Sequence, residues 1–94
     1  MAILSAATSA GLSDLYITTV DATAENMAAI RDGKVAIGVS QDPYKMGYTA
    51  VEQAIKWCQG EETDEFIEVP VEYMDKDNIQ DFIDREKGYG VEVE

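Results

Sequence analysis

Ninety-four residues, 46 % of them hydrophobic, leave room for one small domain and argue against a disordered chain. A net charge of −12 is repelled by nucleic-acid phosphate and by anionic membrane, which excludes nucleic acid as a partner and otherwise reads as solubility. With one cysteine, Cys58, and no histidine, an internal disulfide, a Cys/His zinc site and a His-activated nucleophile are excluded as well.

No apolar run approaches the ~18 residues of a membrane span. The chain does not open with a basic stretch followed by an apolar one, so any leader is expected upstream of Met1, and the sequence names no compartment. Residues 2–10 are rich in alanine with Ile3, Leu4 and Ala7 on one side, which predicts a helix that Gly11 closes. Residues 15–20 (LYITTV) are β-branched and aromatic and predict a strand. Thr23, with Glu25 and Asn26 behind it, marks a helix N-terminus; Met27 and Ile30 are its buried side, and Gly33 ends it. The apolar run 35–39 (VAIGV) predicts a strand covered on both faces.

Pro43 suits the first turn of the next helix. Gly47, Ala50, Val51, Ala54, Ile55 and Cys58 recur at spacings of three and four, the clearest helical stripe in the chain, and Gly60 closes it. Residues 61–65 form an acidic solvated loop. Residues 66–73 (FIEVPVEY) alternate, and Pro70 makes them an edge or crossing strand. Ile79, Phe82 and Ile83 stripe a last helix that ends at Lys87 and Gly88. Residues 89–94 read as an extra strand or as disorder. Strands alternating with helices predict an α/β fold with a parallel sheet and right-handed crossovers.

In such a sheet ligands bind beyond the carboxyl ends of the strands. Two polar residues stand there: Asp21 ends the first strand, and Gln41 lies just past the second, one strand–helix–strand period later. A carboxylate accepts two sugar hydroxyl bonds at once, and a glutamine both donates and accepts, so the pair suits a sugar. Equally, Asp21 reads as a cap of the following helix and Gln41 as an ordinary loop residue before a proline.

The stretch TTVDATAENMAAIRDGKVAIGVSQDPYKMGYTAVEQAIKWCQGE resembles the C-terminal part of periplasmic sugar-binding proteins of the ribose- and galactose-binding type. The shared elements are a strand ending in V-D-A, a helix closing in I-x-x-G, an apolar strand followed by Q-D-P, and M-G opening an Ala-rich helix. VPVEYMDKDNIQDF is similar to the family's closing stretch, and AILSAATSAG to the helix before the first strand. The resemblance implies a three-layer, parallel-sheet α/β fold of the type I periplasmic-binding-protein kind, here a partial lobe. Residues 1–94 are then a single C-terminal segment, with 43–70 belonging to the other lobe.

The resemblance further implies a monosaccharide ligand, ribose- or galactose-like. Asp21 and Gln41 are the sugar-binding residues it carries over. An ABC transporter permease is the implied partner, and the location is periplasmic or extracellular and membrane-anchored. Galactose-type members usually have asparagine where Gln41 stands. A sugar-contacting asparagine that the family places just upstream of the first helix has no counterpart here. No cofactor, metal or catalytic activity is expected, because paired carboxylates at strand ends and phosphate loops are absent. Two other readings share the fold: the sugar-sensing domain of a transcription regulator, and a ligand-free scaffold or interaction domain.

Trp57 could stack on a pyranose but borders the apolar stripe, where core or rim packing is expected; Tyr16 and Tyr44 read the same way, Tyr44 near the proposed crevice. Cys58, on the stripe, is expected to be an inert buried side chain. Asp75, Asp77 and Asn78 lack the glycine and terminal glutamate of a calcium loop and read as helix capping. The stripe on 43–59 needs cover. The chain alone is therefore expected to fold this helix back onto its own sheet or to form a homodimer through residues 43–73.

Overall fold

The computed structural model describes residues 1–94. In chain order the elements are α1 (Ala2–Ser9), β1 (Thr18–Val20), α2 (Ala24–Arg31), β2 (Ile37–Ser40), α3 (Pro43–Cys58), β3 (Glu72–Met74) and α4 (Ile79–Gly88). The helices end as their glycines require. Past α1, Gly11 takes φ 70°, its N–H donates to Thr8 O, and Leu12 N–H donates to Ala7 O. Those two bonds satisfy carbonyls that the last turn would leave unpaired, a closure that needs a left-handed residue and hence favours glycine. Gly33 and Gly60 close α2 and α3 in the same way.

β1 and β2 pair in parallel, with Thr18 opposite Ile37 and Val20 opposite Val39. The intervening α2 is their crossover and packs on β2 and on α4. Beneath it lies the core: Met27 and Ile30 from α2, Ile17 and Val35 leading into the strands, Met74 from β3, Ile79 and Phe82 from α4, and Ala7 from α1. Met27, Ile30 and Met74 are wholly buried, each worth about 1.5–3 kcal/mol. Gly38 makes this close packing possible. A Cβ there would lie 2.7 Å from Met74 Cε and 2.9 Å from Ile30 Cδ1.

β3 departs from the expected all-parallel sheet. It pairs with β2 antiparallel, Ser40 opposite Glu72 and Gly38 opposite Met74, giving the order β1-β2-β3. The cause is the course of α3. A parallel neighbour requires a connection that packs back over the sheet. α3 instead leaves from the end of β2 and buries no residue. The extended segment 64–71 returns beside it, with Phe66 and Val69 sharing a groove with Met46 and Ala50. The chain thus re-enters the sheet at the end where it left, and β3 must run against β2.

α3 with its returning segment forms an arm. The molecule measures 59 × 24 × 20 Å, with a radius of gyration of 17.0 Å, where a compact chain of this length would have about 12 Å. Two expectations fall with the arm. Trp57 is 71 % exposed rather than packed in a core or rim, and Cys58 is exposed rather than buried. The stripe Gly47–Cys58 is real in its periodicity but is not folded back onto the chain's own sheet.

Of the strand expected over 66–73 only 72–73 pair, in a strand that runs on to Met74, and that of 15–20 shortens to 18–20. The tail is neither a strand nor loose: Val91 and Val93 pack on the core, and Arg31 Nη2 donates to Glu94 O at 2.8 Å. Arg85 joins α4 to β3, donating to Glu72 Oε2 at 2.8 Å. Burial alone would lower its pKa, but the Glu72 bond and the charges of Glu72, Glu86 and Asp42 outweigh burial and raise it.

Candidate functional site

The carboxyl ends of β1 and β2 bring Asp21 and Gln41 together. Gln41 Nε2 donates to Asp21 Oδ1 at 2.7 Å. Both side chains are exposed. No protein group donates to Asp21 Oδ2, and Gln41 Oε1 accepts no bond from the chain, so each of these exposed side chains keeps one acceptor unclaimed.

The capping role open to Asp21 falls instead to Thr23. Its Oγ1 accepts from Asn26 N at 3.2 Å, and the Asp21 carboxylate takes no bond from α2. Asp21 has φ 77°. A non-glycine residue in that region costs about 1 kcal/mol, which its surroundings must hold in place. They do so from both sides. Asp21 N–H donates to Val39 O at 2.7 Å, continuing the β1–β2 ladder. Asn26 Nδ2 donates to Val20 O and to Asp21 O, each at 2.9 Å.

The Gln41 side is built in a similar way. Ser40, fully buried, accepts from Asp42 N at 3.3 Å, and Asp42 adopts φ 49° while its Oδ1 accepts from Lys45 N, capping α3. Asp21 and Asp42 are the chain's two non-glycine residues at positive φ. Each follows a parallel strand by one or two residues, so the backbone strain is concentrated where the two candidate side chains meet.

Sequence reasoning placed Asp21 and Gln41 on the strand ends but missed Asn26 and Asp42 as their supports. Asn26 sits at the third position of α2, where a polar side chain commonly reaches back over a helix N-terminus. That position was the available signal. Tyr44, expected near the crevice, stacks on Tyr89 with ring centroids 4.0 Å apart and planes at 7°, so one of its faces is taken.

Asp75 behaves as a cap: its Oδ1 accepts from Asp77 N at 2.9 Å and from Asn78 N at 3.2 Å. The largest cavity, about 860 Å³, lies at the other end of the strands between α1, residues 11–17 and Lys34. Neither Asp21 nor Gln41 lines it. A smaller groove of about 420 Å³ between α3 and residues 64–71 has Gln41 at its border.

Known proteins resemble this chain in sequence and in fold. The model of the periplasmic binding protein domain matches residues 1–62. A protein described as a putative rhizopine-binding protein of Rhizobium meliloti is 30 % identical over 71 residues, covering 76 % of this chain and 23 % of that protein. Among solved structures, an ABC transporter periplasmic solute binding protein from Actinobacillus succinogenes 130z with bound D-allose aligns with a TM-score of 0.79. Identity is 23 %, over 83 % of this chain and 28 % of that one. A crystal structure from Mycobacterium smegmatis aligns with a TM-score of 0.70 at 28 % identity, over 92 % of this chain and 30 % of that one. The chain thus spans about a quarter of the length of the relatives it matches.

Proposed function

This chain belongs to the periplasmic binding protein domain family, and from that premise we propose that it contributes two ligands to a monosaccharide site. Its α/β fold is a partial lobe of the type I-like arrangement of that family. The observation that carries the proposal is the exposed pair at the ends of β1 and β2. With Asp21 Oδ1 held by Gln41 at 2.7 Å, Asp21 Oδ2 and Gln41 Oε1 are both left unclaimed on two side chains in contact. Unclaimed acceptors on two touching side chains suit hydroxyl donors, which a sugar ring carries, and a charged acceptor makes the stronger bond.

In this reading residues 43–70, the exposed arm, belong to a second lobe. Closure of the two lobes excludes water from the sugar, which half a site cannot do. The rhizopine-binding description of the relative supports a solute-binding and non-catalytic role. The protein then serves as the extracytoplasmic solute-binding component of an ABC transporter, handing its sugar to the permease from the periplasm or, membrane-anchored, from the extracellular side. The chain by itself pairs with a second copy through its open arm.

The test is a calorimetric titration of the natural polypeptide carrying this chain with D-ribose, D-galactose and D-allose, repeated on Asp21→Asn. Asparagine tolerates the left-handed backbone and keeps the side chain's shape, while it removes the charge and turns one acceptor oxygen into a donor. Binding of at least one sugar that weakens in the variant supports the reading. Failure of all three to bind, or equal binding by both proteins, overturns it.

A further inference from the structure

We propose that Asn26 is a positioning residue for the solute site, holding Asp21 in the backbone conformation that presents its carboxylate to Gln41. This rests on the reading of Asp21 and Gln41 as solute ligands. Asn26 is 8 % exposed, and its side chain points back over the start of α2. Its amide nitrogen divides its two hydrogens between Val20 O and Asp21 O, both at 2.9 Å. It therefore grips the peptide on each side of the Asp21 N–Cα bond, the bond whose rotation is φ.

That angle, 77°, is disfavoured for an aspartate relative to the negative-φ regions. The other constraint, Asp21 N–H to Val39 O, fixes the same residue to β2, which carries Gln41 two residues later. Without Asn26, two carbonyls at the edge of the core lose their donor, and φ of Asp21 is free to relax to the ordinary negative region. Its Cα–Cβ vector then swings away from Gln41. Asn26 is too buried to touch a solute itself, so its effect passes through Asp21.

A purely structural role is separable because Thr23 supports the same helix by a different bond, its Oγ1 accepting from Asn26 N. Thr23→Ala loses the cap but leaves both Nδ2 bonds in place. The experiment uses the natural polypeptide and four proteins: wild type, Asn26→Ala, the milder Asn26→Ser and Thr23→Ala. Three quantities are read: Kd for D-ribose, D-galactose and D-allose, melting temperature, and the Gln41 side-chain amide resonance in ligand-free protein.

The expected result is that both Asn26 variants raise Kd about tenfold or more and move the Gln41 amide resonance to that of a free glutamine. Thr23→Ala lowers the melting temperature while leaving Kd and the Gln41 resonance unchanged. An unchanged Kd in a folded Asn26 variant overturns the proposal, as does an equal rise in Kd for Thr23→Ala. If wild type binds none of the sugars, the solute reading fails by itself. The Gln41 resonance then still decides whether Asn26 sets the Asp21–Gln41 contact: a shift in the Asn26 variants upholds it and no shift overturns it.

Discussion

Gln41 reaches across the ends of two parallel strands to bond Asp21 at 2.7 Å, although the two lie twenty residues apart in the chain. Removing the acceptor has a size that can be stated. In the natural polypeptide, Asp21→Ala should weaken sugar binding by ~1.5–3 kcal/mol for each charge-assisted bond lost, about ten- to a hundredfold in Kd. Calorimetry on the variant checks this, and an unaltered Kd would remove Asp21 from the site.

The 94-residue chain on its own should bind the same sugars at no better than about millimolar strength. Asp21 and Gln41 both stand exposed, so water competes for every hydroxyl they could bind. A micromolar constant from NMR titration of the isolated chain would show that no second lobe is needed.

Self-association should accompany that weak binding. Tyr48, Val51 and Ile55 are all more than half exposed on α3 and line one groove, and an open apolar face of this kind favours pairing. Light scattering over a concentration series should give a dimer, and Ile55→Glu should shift it to monomer. A monomer of about 10 kDa at high concentration would mean that the arm stays solvated.

Cys58 reports on what covers the arm. Its exposed thiol should react with maleimide without denaturant in the isolated chain. In the natural polypeptide it should be protected, if residues 43–70 pack within the second lobe. Equal labelling rates in the two proteins would place the arm in solvent in both.

Gly38 offers a test of the core. Valine there would drive its branched carbons into Met74 and Ile30, whose tips already lie within 3 Å of an added Cβ. Gly38→Val should cost about 1–3 kcal/mol, read as a lower denaturation midpoint. Gly38→Ala should cost less, because the obstructing atoms are flexible side-chain ends. Equal stability of all three proteins would mean that the core has more slack than its contacts imply.

What the sequence determined by itself was local: the helix bounds at Thr23, Pro43 and Gly60, the buried faces of α2 and α4, and two polar residues one crossover apart. Each depends on residues within a turn or two, where propensity, capping and periodicity act. Tertiary structure alone decided the rest. The stripe on α3 marks an apolar face but cannot say what covers it, so Trp57, expected in the core or at its rim, and Cys58, expected buried, both lie exposed. The direction of β3 depended on whether α3 packs back over the sheet, which no local pattern records. Asn26 looked like one more polar residue at a helix start. Its role exists only because the backbone of Asp21 turns left-handed beside it, within reach of both amide hydrogens.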